Sequence, residues 1–423
     1  MNQQSEKSNG LKGTIIIPPD KSISHRSVMF AALTGGKTEI TNFSTGADCL
    51  SSLKIIQSLG CEAEFVNERC IKIDASNAFK KDRYKLDCGN SGTSMRLFSG
   101  ILASREIEST LFGDESLSKR PMKRIILPLE LMGAKFKHHE YKAPLVITGQ
   151  ELFPIDYKSP IASAQVKSCI LLAGLNTYGE TKITEPYVSR DHTERMLKYL
   201  GADIEANENI TKIKKSTLTA KDITVCGDIS SAAFFLVAGA IVPNSEIIIK
   251  DVGLNETRTG IIDVLVKMGA DIEILDKRIV CNEETGDIKI KSSELNGIEI
   301  KGELIPRLID ELPVIAVLAS QANGTTIVKD ASDLRNKESD RIKCLVTELL
   351  KIGVDIKETK DGFSINGKTE LKGNAEVECY HDHRLAMSLY IAGLVCKKPI
   401  KIKEFQWVDI SFPEFLPLVN SLL

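Results

Sequence analysis

Thr14-Ile-Ile-Ile-Pro-Pro-Asp-Lys-Ser-Ile-Ser-His-Arg26 opens as a β-branched run, turns at two prolines and enters a helix loaded with Lys21, Ser22, His25 and Arg26. The same order of strand, polar turn and helix returns five times. The later copies are Tyr84-Lys-Leu-Asp-Cys-Gly-Asn-Ser-Gly-Thr-Ser-Met-Arg96, Pro154-Ile-Asp-Tyr-Lys-Ser-Pro-Ile-Ala-Ser-Ala-Gln165, Ile223-Thr-Val-Cys-Gly-Asp-Ile-Ser-Ser231, Glu303-Leu-Ile-Pro-Arg-Leu-Ile-Asp-Glu311 and Ala375-Glu-Val-Glu-Cys-Tyr-His-Asp-His-Arg384. A helix N-terminus directs unpaired N–H groups and a positive dipole end outward, which suits anions. Six copies, five of them carrying Lys or Arg, point to small polyanionic ligands.

After each turn the sequence predicts an apolar helix, then a strand such as Thr38–Thr41 or Glu246–Lys250, then a second helix. In five units that second helix ends almost identically: Leu59-Gly-Cys-Glu, Met132-Gly-Ala-Lys, Leu200-Gly-Ala-Asp, Met268-Gly-Ala-Asp and Ile352-Gly-Val-Asp. A glycine there is the expected left-handed C-cap, with a further strand behind it. Repeats of roughly 70 residues, each a β-α-β-α-β unit, indicate a duplicated α/β module rather than a thin solenoid.

The sixth unit stops inside its second helix, Pro413–Leu423, while an orphan strand, Thr14–Ile17, precedes the first. The expectation is that this N-terminal strand completes the last unit. One domain is then 20–225. The other is 1–19 plus 226–423, with crossings near 19–21 and 226–228. Two domains also suit a chain of 423 residues; two side-by-side domains without the exchange are the plain alternative.

The net charge of -2 gives no global field for nucleic acid or anionic lipid, so cations must act locally. Met1–Gly10 lacks a basic start followed by an apolar core, and reads as a disordered leader rather than a signal peptide. The longest apolar stretch, near Ala232–Val242, is too short to span a bilayer. Ten cysteines stand singly with no zinc-like spacing, so reduced thiols in a cytoplasm are expected, without disulfides or structural metal.

Several clusters carry chemistry, each with a plainer alternative. Lys21 and Arg26 oppose the helix dipole unless an anion sits there; solvated charge is the alternative. Asn90–Arg96 is a Gly/hydroxyl turn entering a helix, and many such turns are only turns. Ser116–Arg124 heads a second helix and suits an oxyanion. Ser163-Ala-Gln165 reads by itself as a cap. Lys337 and Arg341 lie one turn apart with Glu338 between, which also fits a salt-bridged surface helix. Asp310-Glu311 could be an N-cap pair, and Asp382-His383-Arg384 again places a cation at a helix start. Equivalent positions in different repeats suggest that Lys21, Arg26, Arg96, Arg120, Arg190, Lys337, Arg341 and Arg384 converge, more cations than one phosphate needs.

These motifs, running in order from Gly13 to Phe415, resemble the 5-enolpyruvylshikimate-3-phosphate synthase family, and Ser163-Ala-Gln165 and Arg190 resemble its second sequence class. The most specific are Asp20–Arg26, Gly89–Arg96, Gly113–Pro121, Ser163–Gln165, Lys337–Arg341 and Asp382–Arg384. The resemblance implies an α/β fold: a two-domain inside-out α/β barrel with three β-α-β-α-β-β repeats per domain and the active-site cleft between them. It implies shikimate 3-phosphate on Lys21, Ser22, Arg26, Ser163, Ala164, Gln165, Arg190, Asp310 and Lys337. Phosphoenolpyruvate falls to Lys21, Gly92, Arg120, Gln165, Arg341 and Arg384. Asp310 is the expected base, with Lys21 and Glu338, less so His383, moving the other protons. Ile410 precedes Ser411-Phe-Pro413 where the other class has a lysine, so one cation near phosphoenolpyruvate is missing. Gly92 leaves room where some relatives carry a methyl, which implies inhibition by glyphosate. No cofactor, metal, nucleic acid or membrane is implied, and a cytoplasmic monomer is expected. A sister transferase acting on UDP-N-acetylglucosamine would begin with Lys-Asn rather than Lys21-Ser22 and often has a loop cysteine, absent from Gly113–Pro121. A catalytically silent phosphosugar-binding protein is the rival from outside enzymes, and the intact set Lys21, Asp310, Glu338 and Arg384 argues against it.

Overall fold

Six helices carry long buried runs, and they form the cores of two compact units, three helices to each. The computed structural model describes residues 2–423. The chain forms two compact units, one of Pro19–Cys226 with Ile279–Glu283, the other of Met1–Pro18, Gly227–Arg278 and Glu284–Leu423.

In the first unit the core helices are Lys21–Thr34, Gly92–Ala103 and Ala164–Gly174. From its second turn on, each is buried almost all round, so it lies inside rather than against a single apolar face. Gly92–Ala103 packs on Ala164–Gly174 so closely that a Cβ on Gly100 would fall 2.1 Å from the Cys169 carbonyl oxygen. Outside them lie four-stranded sheets. Arg83–Asp87 runs parallel to Glu108–Phe112, which pairs antiparallel with Lys142–Thr148, itself antiparallel to Lys135–His139. Alternating burial along these strands marks one inner and one outer face.

The second unit repeats the plan around Ile229–Ile241, Leu312–Ser320 and His383–Gly393. Among the described residues there are six sheets, five of four strands and one of three. This is the inside-out α/β architecture, helices within and sheets without, three repeats to a unit. All five predicted cap glycines, Gly60, Gly133, Gly201, Gly269 and Gly353, have positive φ, from 92° to 104°.

The strand exchange differs from the sequence expectation. Lys12–Ile16 does not complete the last repeat: it pairs parallel with Glu246–Lys250 of the fourth. Its counterpart Ile223–Thr224 pairs parallel with Ile40 and Thr41 of the first repeat. Each strand that precedes a crossing therefore completes a sheet of the unit it is leaving. The last sheet is closed by Gln3–Ser5, antiparallel to Ile400–Ile402, inside the stretch read as a disordered leader. Ser5 Oγ donates to the Tyr390 carbonyl at 2.7 Å and Ser8 N to that of Leu394 at 2.9 Å. Polar composition hid this strand, because only the sheet it joins supplies its partners.

Residues 279–283, the turn between strands Asp271–Val280 and Glu283–Lys291, belong with Pro19–Cys226. There Glu283 Oε1 meets His192 Nδ1 at 2.7 Å, and Asn282 Nδ2 donates to the Arg195 carbonyl at 3.0 Å.

Candidate active site

The candidate residues divide between the two units, in several small groups in Pro19–Cys226 and in one cluster around Asp310 in the other. In Pro19–Cys226, Asp20 caps the first core helix by accepting from Ile23 N at 2.8 Å, which fixes Lys21 as the first helical residue. Lys21 Nζ pairs with Asp48 of the neighbouring Ala47–Ser58 helix. Burial works to raise the Asp48 pKa, but the Lys21 ammonium outweighs it and holds the carboxyl below its usual value. One turn on, buried His25 bonds Ser52 Oγ through Nδ1 at 2.7 Å. The chain of hydroxyls continues to Ser94 and to Ser91, the cap of the Gly92–Ala103 helix. Arg26 is buried and reaches Thr193 Oγ1 at 2.7 Å, Ser168 Oγ at 2.9 Å and the Ser22 carbonyl at 3.0 Å.

Gln165 is the hub of the next group. Its Oε1 accepts from Arg96 Nη1 at 2.7 Å and lies 3.4 Å from Arg124 Nη2, while its Nε2 donates to Thr93 Oγ1 at 3.0 Å. A Cβ on Gly92 would lie 2.8 Å from Arg96 Nη1 and 3.6 Å from Arg120 Nη1, so glycine leaves this cationic corner open. Arg120 is steered by Asn90, whose Oδ1 accepts at 2.7 Å. Ser163 occupies its N-cap without a side-chain cap bond, contrary to the capping reading; its N–H donates to Glu185 Oε1 at 2.9 Å. Ser163 and Ala164 are half-buried. Glu185 belongs to a buried group in which Lys167 contacts Glu185 at 3.0 Å, Glu194 at 2.7 Å and the Ser189 carbonyl at 3.1 Å. That anchors the loop carrying half-buried Arg190.

In the other unit the cluster centres on Asp310. Its Oδ1 meets Lys337 Nζ at 3.3 Å and Arg341 Nη1 at 3.4 Å, while its carbonyl accepts from Arg384 Nη1 at 3.1 Å. Asp310-Glu311 is thus no N-cap pair: Glu311 holds the cap position with no side-chain cap bond. The salt-bridged helix reading of Lys337 and Arg341 also fails. Asp340 caps Arg341–Ile352, accepting from Lys343 N at 3.1 Å, so Lys337 lies in the turn before the helix. Arg341 is buried and clasps Asp382 (2.7 Å) and Glu338 (2.6 Å); burial works against its charge, but these carboxylates raise its pKa further. Desolvation pushes Glu338 up, yet the Arg341 guanidinium outweighs it and brings the carboxyl down to about 2. Asp382 caps His383–Gly393 through Arg384 N at 2.9 Å. Burial, reinforced by Arg384, lowers His383 to about 4, so its ring is neutral at pH 7. Ile410 is half-exposed in a turn at Phe405–Ile410.

Within Pro19–Cys226 the structure thus sets Gly92 and Gln165 about Arg96, with Arg120 beside Gly92, and places Lys21 against Asp48. In the other unit it joins Asp310, Lys337, Glu338, Arg341 and Arg384. Arg124 and Glu311, which no sequence pattern marks as site residues, also reach these groups, Arg124 at Gln165 and Glu311 at Arg384. Only the spatial neighbours Gln165 and Arg384 distinguish them. Among the described residues no group of three or more His, Cys, Asp or Glu side chains could hold a metal.

The profile of the family described as EPSP synthase (3-phosphoshikimate 1-carboxyvinyltransferase) matches residues 5–418. The chain belongs to that family. It is 50% identical over 421 residues to a 3-phosphoshikimate 1-carboxyvinyltransferase of Bacillus licheniformis, covering 98% of each chain. The solved EPSP synthase of Acinetobacter baumannii superposes with a TM-score of 0.91 at 42% identity, over 100% of this chain and 98% of that one. An enolpyruvyl transferase, NikO from Streptomyces tendae, shares the fold at a TM-score of 0.82 and 17% identity, over 99% and 96%.

Proposed function

We propose that this enzyme transfers the enolpyruvyl group of phosphoenolpyruvate to the 5-hydroxyl of shikimate 3-phosphate, with release of phosphate. The observation carrying the assignment of roles is Asp310, a carboxylate with Lys337, Arg341 and Arg384 all within 3.4 Å of its atoms. Asp310 takes the proton of the attacking hydroxyl as the oxygen bonds C2 of phosphoenolpyruvate and C3 is protonated. The tetrahedral adduct then expels phosphate and gives up a methyl proton. Glu338, ionised at neutral pH because Arg341 stabilises its charge, is the acceptor for that proton; Lys21 donates at C3. Shikimate 3-phosphate is held by Lys21, Ser22, Arg26, Ser163, Ala164, Gln165, Arg190, Asp310 and Lys337. Phosphoenolpyruvate is held by Lys21, Gly92, Arg120, Gln165, Arg341 and Arg384. Fixed guanidinium and ammonium groups stabilise the charge that develops on the phosphate and carboxylate oxygens. The reading includes a monomer working in the cytoplasm; no helix among the described residues is long and apolar enough to cross a membrane.

Phosphate release from the two substrates tests the reaction, and Asp310→Asn tests the base. Turnover is expected to fall roughly 10²-fold or more while shikimate 3-phosphate binding, read by calorimetry, stays within about tenfold. Undiminished turnover would remove Asp310 from the role.

A further inference from the structure

Glu311, beside the proposed base, is buried at 1% exposure, and its Oε2 has no hydrogen-bond partner. A carboxylate so placed is costly unless cations or donors hold it. Its Oε1 accepts from Ser230 Oγ and lies 3.7 Å from Arg384 Nη1. Ser230 Oγ accepts in turn from Arg258 Nη2 at 2.8 Å, and the same nitrogen reaches Asp228 Oδ1 at 3.1 Å. Arg258, Ser230 and Asp228 are all buried. The chain from Arg258 through Ser230 and Glu311 thus begins in the interior and ends at Arg384, whose side chain keeps 17% exposure. It also joins the N-termini of all three core helices of this unit, at Ser230, Glu311 and Arg384.

The geometry at Arg384 is one-sided. Among the described residues the contacts of its guanidinium, to the Asp310 carbonyl and to Glu311, both use Nη1. The edge formed by Nε and Nη2 is left for a ligand, and that edge is the fork that grips a carboxylate or phosphate through two parallel bonds. We propose that Glu311, backed by Ser230 and Arg258, is a positioning residue that tethers Nη1 of Arg384 and presents its Nε/Nη2 edge to the anionic enolpyruvyl donor. The donor's identity as phosphoenolpyruvate rests on the function proposed above.

Steady-state kinetics with each substrate varied in turn, on the full chain, tests this. Glu311→Gln keeps the shape and an oxygen for Ser230 but removes the charge. It is expected to raise KM for phosphoenolpyruvate about tenfold, with KM for shikimate 3-phosphate within about twofold and kcat within about threefold. Ser230→Ala, which cuts the link while leaving both charges, gives a smaller rise with the same one-sided split. Adding Glu311→Gln to Arg384→Lys should raise KM no further than Arg384→Lys alone, because the tethered group is already gone. Equal changes for both substrates, no change, or additive effects of the two substitutions would overturn the tether. Should Glu311→Gln not fold, the split in Ser230→Ala decides by the same criterion. Wild-type protein that releases no phosphate would sink the underlying function; active wild type without the split sinks only the positioning role.

Discussion

Two histidines are held neutral inside the protein. Burial lowers His25 to about 3 and His383 to about 4. The ordinary value is 6.5, so between pH 6.5 and these folded values the unfolded chain binds protons that the folded chain refuses. The unfolded state then carries more protons, and stability must fall as pH falls, by roughly 1.4 kcal/mol per pH unit for each histidine. Glu338 works in the same direction lower down: its stabilisation is full above the ordinary carboxylate value and lost as pH drops through about 2. Urea unfolding followed from pH 7 to pH 4 should show a declining midpoint, and His25→Asn should flatten the decline. A midpoint independent of pH over that range would contradict the burial argument.

The six core helices share a pattern but not a device at their starts. Asp20, Ser91, Asp228 and Asp382 cap theirs with side-chain oxygens, whereas Ser163 and Glu311 make no such bond. At the two uncapped starts other bonds take the place of the cap: the Ser163 N–H donates to Glu185, and Glu311 accepts from Ser230. Packing between core helices is equally specific. Gly100 allows two backbones to touch, and a methyl there would overlap the Cys169 carbonyl, a group that cannot rotate away. Gly100→Ala should therefore cost about 1–3 kcal/mol despite the better helix propensity of alanine. Thermal unfolding checks this, and a raised melting temperature would show that the helices separate freely.

Each unit is closed as a set of sheets only because of where the chain crosses. Residues 19–226 carry their own last strand, Ile223–Thr224, paired to the first repeat. Residues 227–423 lack both Lys12–Ile16 and Gln3–Ser5, which fill edges of their fourth and sixth repeats. Expressed alone, 19–226 should give a cooperative unfolding transition, while 227–423 should do so only when residues 1–18 are present in trans or fused. Circular dichroism melts decide between these outcomes. A cooperative 227–423 fragment without the peptide would show the N-terminal strands to be dispensable.

Five of the six strand–turn–helix copies and the five glycine caps were readable from order and spacing alone, because propensity and periodicity are local; in the fifth, Glu303–Glu311, the residues read as a strand form a short helix, Leu304–Leu308, and the strand lies upstream at Glu299–Ile300. The cationic runs were readable too, since charge at a helix start is a local anomaly. The sequence could not say which sheet takes Thr14–Ile17, because strand partners are chosen by the twist and edges of sheets built far along the chain. Nor could local pattern separate the roles of the adjacent carboxylates Asp310 and Glu311; only the family resemblance singled out Asp310. One meets Lys337 and Arg341, the other is sealed against Ser230, and only the convergence of three helix ends makes that difference.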